Sequence, residues 1–162
     1  MQIRPATPDD LPAILDIYNE VIRHSTAVYC DDPVDLAERQ AWFAARQDKG
    51  YPVLVACDAG SVIGYASFGD FRSFPGYRYT VEHSVHIMPA ARGKGIGAQL
   101  VNALLPLARK QGKHVMVGAI DAANEGSIRF HRRLGFVEVA RMPEVGFKFD
   151  RWLDLVFMQR AL

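Results

Sequence analysis

The residues with the clearest chemical potential lie in the segment 85–98, which reads VHIMPAARGKGIGA. Its three alternating glycines stand between a β-rich run and an amphipathic helical pattern. Glycine allows positive φ and close approach of a ligand, so successive amide N–H groups can converge at the positive end of the helix dipole. Arg92 and Lys94 add cationic donors. The segment is therefore predicted to bind a phosphate group.

Other interpretations of this turn have to be weighed. A plain connection without a ligand is disfavoured, because three glycines at a helix start weaken a fold. Gly93-x-Gly95-x-x-Ala98 formally matches the dinucleotide-binding fingerprint, with Asp121 ending a later strand. That fingerprint places its first glycine directly after the strand, whereas residues 88–92 intervene here. The P-loop pattern fails, because Met88 stands where its first glycine belongs.

A third interpretation uses two motifs. The run Arg92-Gly-Lys-Gly-Ile-Gly97 resembles the pyrophosphate loop Arg/Gln-x-x-Gly-x-Gly/Ala of the Gcn5-related N-acetyltransferases (GNAT). Asn124, Ser127 and the run Leu134-Gly-Phe136 resemble the Asn-x-x-Ala/Ser…Gly-Phe element of the same family. Either motif alone would be weak, but two at the family's separation are specific. The resemblance covers nearly the whole chain.

The resemblance implies acetyl-CoA as the cosubstrate. The backbone of residues 85–87 would pair with the pantetheine arm, and an amide there would polarise the thioester carbonyl. No metal site is expected, because the five histidines lack an H-E-x-x-H pattern, and His83 and His86 would point to opposite faces of a strand. The cofactor-binding residues implied are Val85, His86, Ile87, Arg92, Gly93, Lys94, Gly95, Ile96, Gly97, Ala98, Asn124, Ser127, Phe130 and Arg133.

Two residues are the catalytic candidates. An amine that is protonated at neutral pH needs a base before it can attack. Glu82 resembles the glutamate of the phosphinothricin acetyltransferase branch, in the run YTVEHSV; a solvated strand carboxylate is the alternative. His131 stands where the family commonly has a tyrosine, and that branch also carries histidine there. Its role as acid, water holder or packing residue is left open.

The loop 68–79 is predicted to bind the acceptor. Arginine can bind a carboxylate in bidentate fashion while aromatic rings enclose a side chain. A surface loop whose rings pack on the sheet is the alternative. The candidate substrate-binding residues are Tyr29, Phe71, Arg72, Phe74, Pro75, Gly76, Tyr77, Arg78, Tyr79 and Thr80.

The resemblance also bears on the activity. It implies transfer to the α-amine of a small amino-acid-like substrate such as methionine sulfoximine, methionine sulfone or phosphinothricin. Protein or peptide N-terminal acetylation is an alternative, because the same scaffold serves it. A non-catalytic acyl-CoA-binding module and a nucleotide-binding oxidoreductase are the alternatives from other classes.

The elements that must position these residues follow from periodicity. Apolar residues three and four apart predict helices over 8–23, 35–47, 96–111 and 124–134, and β-rich runs predict strands over 2–6, 52–58, 61–68, 79–88 and 114–120 with two more within 136–159. This order predicts an α+β or mixed α/β fold. By the resemblance the fold is GNAT-like, a mixed, mostly antiparallel central sheet of about seven strands flanked by about four helices.

Composition limits the class of protein. The 162 residues fit one domain, 1–162, with 49% hydrophobic and 23% charged residues as in ordinary globular proteins. Lys+Arg at 19 against Asp+Glu at 18 gives no general field for nucleic acid or an anionic membrane. We expect a cytoplasmic protein, because no signal peptide and no apolar run of about 20 residues is present. Cys30 and Cys57 are expected to be free thiols.

The last predicted strands carry apolar residues through which two copies of the chain could associate. Branch members are usually dimers, so the resemblance implies a homodimer. The apolar residues that would allow it include Trp152, Leu153, Leu155 and Phe157.

Overall fold

The computed structural model describes residues 1–162, which form a seven-stranded sheet and four α-helices. The strands are β1 (Gln2–Pro5), β2 (Val53–Asp58), β3 (Ser61–Asp70), β4 (Thr80–Ile87), β5 (Val115–Asp121), β6 (Val137–Lys148) and β7 (Arg151–Ala161). The helices are α1 (Leu11–His24), α2 (Leu36–Asp48), α3 (Ile96–Lys110) and α4 (Glu125–Arg133). The predicted mixed fold is confirmed, and every predicted element forms with small differences at its ends.

The sheet is antiparallel except at its centre. Its strand order is β1-β2-β3-β4-β5-β7-β6, and only β4 and β5 are parallel neighbours. Their register pairs are Thr80–Val115, Val81–Met116 and Glu82–Val117, and the pairing goes no further. Beyond Glu82 the two strands separate, while β4 stays paired to β3 as far as Ile87. The sheet therefore forks at Glu82 and leaves one edge of β4 without a strand partner.

Helices cover both faces of this forked sheet. The larger core packs α3 and α4 on one face, with Leu100 and Leu104 fully buried. The smaller core packs α1 and α2 on the other face, through Ile14 and Phe43. Burial of each such side chain contributes about 1.5–3 kcal/mol relative to exposure. None of the four helices combines the length and apolarity that spanning a bilayer requires.

Side-chain caps fix where the helices beside the fork begin. The Asp35 carboxylate accepts a hydrogen bond from the Glu38 amide at 2.8 Å, and the Asn124 side chain accepts one from the Ser127 amide at 3.0 Å. These acceptors satisfy amide groups that have no partner inside the helix. Asn124 and Ser127 are thus paired through a cap at the start of α4.

Candidate active site

A cavity of about 1210 Å³ follows the fork in the sheet. The cavity is lined by residues of the helices on both faces of the sheet, of β4 and β5 where they separate, and of the loop 25–29 after α1. Small-molecule sites usually measure about 300–1,000 Å³, so this cavity has room for a small molecule together with a cofactor. The fork is therefore the candidate active site.

The glycine-rich turn closes one end of the cavity. Gly93 and Gly95 have φ of 77° and 75°, and α3 begins at Ile96. A Cβ at either glycine would meet no atom within 4 Å. Glycine is therefore favoured at both positions by the positive φ and not by lack of space. The turn leads into the first amides of α3, which have no helical acceptor. Its geometry fits an anionic ligand such as a pyrophosphate.

Most of the predicted cofactor-binding residues lie on this wall. Lys94 does not line the cavity. Cofactor binding by Lys94 and by the residues that do line it stays a prediction. Gly97 lets α3 approach α4, because a Cβ there would lie 3.4 Å from the Phe130 ring. Those that line the cavity are Val85, His86, Ile87, Arg92, Gly93, Gly95, Ile96, Gly97, Ala98, Asn124, Ser127, Phe130 and Arg133.

Glu82 lies at the branching point of the fork. It makes the last register pair with β5 and is half-buried on the face that α1 and α2 cover. Burial raises the pKa of its carboxyl, and the nearby Arg46 opposes that shift. A carboxyl with a raised pKa beside a cavity is suited to accept a proton.

His131 is paired with a second buried histidine, His83, on the opposite face of the sheet. Nδ1 of His131 lies 2.8 Å from the Ser127 carbonyl oxygen, which can only accept, so this nitrogen carries the proton. Nε2 of His131 is then the acceptor for Nε2–H of His83, 3.1 Å away. Both ring nitrogens of His131 are thereby engaged inside the protein, which leaves no free N–H on this ring.

The histidine pair is neutral and depends on a glycine. Burial lowers the pKa of His131, and burial together with the neighbouring His131 lowers the pKa of His83 to about 3. A Cβ at Gly118 would lie 3.0 Å from His131 and 3.1 Å from His83, so glycine leaves the space for the pair. Nδ1 of His83 is buried without a hydrogen-bond partner. Sequence reasoning did not find His83, because its contact with His131 joins residues far apart in the chain.

The low pKa of His83 predicts an acid-dependent loss of stability. The unfolded chain takes up a proton near pH 6.5 while folded His83 does not, so the stabilisation present above pH 6.5 is lost as the pH falls toward 3. We expect wild type to lose about 2 kcal/mol more than His83→Phe between pH 7.5 and pH 5. Urea unfolding at the two pH values measures the difference. Parallel losses in the two proteins would contradict the assignment.

A cationic and aromatic cluster lines the other side of the fork. The Arg39 guanidinium lies 4.0 Å from the centre of the Tyr18 ring and 4.7 Å from that of Trp42. Arg39 also donates to both oxygens of Glu38, at 2.5 and 2.6 Å. Sequence reasoning missed this cluster. The signal that could have found it is the spacing of Arg39, Trp42 and Arg46, which places them on one face of α2.

The loop after α1 is held over the cavity by the side chains of Lys148, Thr26 and Tyr29. Lys148, only 1% exposed, donates from Nζ to the carbonyls of Ile22, Ser25 and Val28 at 2.7, 2.7 and 2.8 Å. Thr26 donates to the Asp121 carboxylate at the end of β5. These contacts close the loop against the far strands of the sheet.

Tyr29 is the one predicted substrate-binding residue on the cavity wall. Its hydroxyl donates to the Asp154 carbonyl at 3.3 Å, and its ring packs where a Cβ of Gly146 would lie. The other candidates, residues 71–80, lie outside this wall. They approach it through Phe71, whose ring lies 5.9 Å from that of the cavity residue Phe157.

The arginines of the outer loop contact aromatic rings of their own segment. Arg72 lies 5.8 Å from the centre of the Phe71 ring and 5.9 Å from that of Tyr77, and Arg78 lies 4.6 Å from that of Tyr79. Phe74 is 71% exposed, and Thr80 is the first residue of β4. Substrate binding by Phe71, Arg72, Phe74, Pro75, Gly76, Tyr77, Arg78, Tyr79 and Thr80 stays a prediction.

The family model, the similar sequences and the similar solved structures all indicate one protein family. A model of the acetyltransferase (GNAT) family matches residues 13–136. The L-methionine sulfoximine/L-methionine sulfone acetyltransferase of Pseudomonas paraeruginosa is 59% identical, over 99% of this chain and 94% of its own length. The ribosomal-protein-alanine N-acetyltransferase of Brucella melitensis has a TM-score of 0.98 and 46% identity, over 100% of both chains.

A third similar protein was solved with a ligand. It is a putative acetyltransferase from Salmonella typhimurium in complex with its cofactor acetyl-CoA, with a TM-score of 0.98 and 55% identity, over 100% of this chain and 94% of that chain. The two motifs, the forked sheet and these relatives therefore show that this chain belongs to the GNAT acetyltransferase family.

Proposed function

We propose that this chain transfers the acetyl group of acetyl-CoA to the α-amine of a small amino-acid-like substrate, such as methionine sulfoximine, methionine sulfone or phosphinothricin. One observation carries the reaction type: a half-buried carboxyl, Glu82, lies where an unpaired strand edge and the glycine-rich turn share one cavity. The substrate class is supported by the 59% identical relative, whose name gives methionine sulfoximine and methionine sulfone as its substrates.

Acetyl-CoA would occupy the fork. The amides of the turn at Gly93–Gly97 would bind its pyrophosphate, and the unpaired edge of β4 over residues 85–87 would bind the pantetheine arm. An amide of that edge would donate to the thioester oxygen as it becomes an oxyanion. Transfer would take place directly in a ternary complex, with the amine on the Glu82 side.

The bonds change in a simple order. Glu82, directly or through a water molecule, takes a proton from the ammonium group, and the free amine attacks the thioester carbon. The C–S bond breaks when the tetrahedral intermediate collapses, and the departing CoA thiolate takes up the second proton that the attacking nitrogen loses, directly or through water. His131 would line the site of this departure; with both ring nitrogens engaged, it would orient α4 and exclude water there.

The proposal is tested by release of CoA thiol from acetyl-CoA. Methionine sulfoximine, methionine sulfone, phosphinothricin and N-terminal peptides are offered separately, with N-acetylmethionine sulfoximine as the matched control that has no free amine. We expect turnover on the amino-acid analogues and none on the control. Turnover on peptides alone would support protein N-terminal acetylation, which the name of the Brucella relative favours. Acetyl-CoA binding without turnover would indicate a binding module.

The edge strand supports a homodimer. β6 is the outer strand of the sheet and ends at Lys148, and the exposed apolar side chains of its region are Val137, Val139, Met142, Val145, Phe147, Phe149 and Trp152. An exposed apolar edge strand pairs readily with another chain, and a second copy would cover it. Light scattering in solution checks the mass; a monomer at micromolar concentration would contradict the dimer.

A further inference from the structure

Arg46, in the last turn of α2, reaches the cavity without a hydrogen-bond or ion-pair partner, and its Cζ lies 5.7 Å from the centre of the Trp42 ring. Its Nε is buried and has no hydrogen-bond partner, and its guanidinium takes part in none of the ion pairs of the protein. Leaving a buried donor unpaired costs about 1–3 kcal/mol, and more for a charged group. A half-buried cation with an unpaired buried donor indicates that Arg46 has a role at the cavity.

The register of the sheet places this guanidinium beside Glu82. Gly69 on β3 is the antiparallel partner of Glu82, so the two positions share one face of the sheet. A Cβ built on Gly69 would lie 2.5 Å from Cζ and 2.6 Å from Nη2 of Arg46. The guanidinium therefore fills the place of the side chain opposite Glu82, where Cβ atoms are about 4.5–5.5 Å apart.

The other charged groups around Arg46 already have partners. Asp70, next to Gly69, binds Lys49 and accepts from the Tyr51 hydroxyl. Arg39, about two turns earlier on the same face of α2, is bound to Glu38. Burial raises the pKa of Glu82, and Arg46 is the charged group that opposes this effect. Of the carboxyls near Arg46, Glu82 is the one left without a cation of its own.

We propose that Arg46 is a positioning residue for Glu82: its guanidinium, admitted by the missing side chain of Gly69, keeps that carboxyl charged and ready to take the proton of the incoming ammonium group. The role of Arg46 in catalysis rests on the proposed function. Its position opposite Glu82 does not depend on that function. Arg46 touches neither reacting atom, and it acts through the charge on Glu82.

The titration of Glu82 in the ligand-free protein tests this directly. Carbon NMR of glutamate-labelled protein follows the carboxyl, and Glu82→Gln assigns its signal. We expect the midpoint to rise by about 1–2 pH units in Arg46→Met, which is the usual size of the shift when a nearby opposite charge is lost. Arg46→Lys keeps the charge and should leave the midpoint close to that of wild type.

Gly69→Ala is the second route to the same result. It leaves Arg46 chemically intact and displaces only the end of a flexible side chain, so the protein should fold, and the midpoint should rise as in Arg46→Met. The acid limb of kcat/KM should move with the midpoint, and the rate at the alkaline plateau should be kept.

An unmoved Glu82 midpoint in Arg46→Met and Gly69→Ala would overturn the proposal, whatever the activity. A KM that rises only for amines bearing a carboxylate, with the midpoint unmoved, would overturn it in favour of substrate binding by Arg46. Failure of the proposed function would be distinguishable from failure of this inference. Wild type would then turn over none of the amines, while the Glu82 midpoint would still rise in Arg46→Met.

Discussion

Glu82→Gln is expected to lower kcat by about 10²–10⁴-fold, which is the usual contribution of a positioned general base. The amide has almost the same shape as the carboxyl but cannot take up a proton from the substrate ammonium group. The binding of acetyl-CoA should not change, because the turn at residues 93–97 and the unpaired edge of β4 are untouched. Thiol-release kinetics and calorimetric titration with acetyl-CoA measure the two quantities.

The pH dependence of kcat/KM tests whether Glu82 acts as a base. Burial raises the pKa of Glu82, so in wild type kcat/KM should rise with pH as this carboxyl ionises, and the mutant should lack that limb. Glu20→Gln is the matched control, because it changes a half-buried carboxyl on α1 outside the cavity wall. A kcat within threefold of wild type would remove Glu82 from the chemistry and leave its position at the fork without a catalytic role.

The parts of this site that sequence predicted are those set by local chemistry. The turn at 92–97 could be identified because glycine, a basic residue and a helix start stand next to one another. Glu82 could be identified because the run YTVEHSV resembles that of the phosphinothricin acetyltransferase branch and because glutamate is depleted in strands. The alternation of β4 also placed His83 and His86 on opposite faces correctly.

The missed parts depend on register and on distant partners. The pairing of Gly69 with Glu82 makes room for Arg46, and Gly118 makes room for the contact between His83 and His131. No local pattern fixes which glycine faces which side chain. The fork itself was not predicted, because the length of the parallel pairing between β4 and β5 is decided by packing across the whole sheet.

Lys148 shows a second reason for a missed residue. Lysine is rarely fully buried, so a lysine at the end of a strand suggests a solvated side chain. The register of β6 shifts between Met142 and Gly146, where Glu144 has a φ of 53°, and this irregularity breaks the alternation that would have assigned Lys148 to a face. A single sequence does not reveal such a bulge.

Lys148→Met is expected to lower the free energy of unfolding by about 1–3 kcal/mol, the cost of leaving buried acceptors without a donor. Methionine has a similar volume, but it leaves the carbonyls of Ile22, Ser25 and Val28 without their ammonium donor. The loop 25–29 should loosen, so KM for the amine should rise more than KM for acetyl-CoA, whose proposed binding residues lie elsewhere.

Urea unfolding and steady-state kinetics measure the two effects of Lys148→Met. Lys110→Met is the matched control, because Lys110 is exposed at the end of α3, and a surface substitution of this kind usually changes stability by about 0.5 kcal/mol or less. A loss below about 1 kcal/mol for Lys148→Met would mean that water replaces the ammonium group at the three carbonyls. The loop would then be held by Thr26 and Tyr29 alone, and the closure of the acceptor side would not depend on the last hairpin of the sheet.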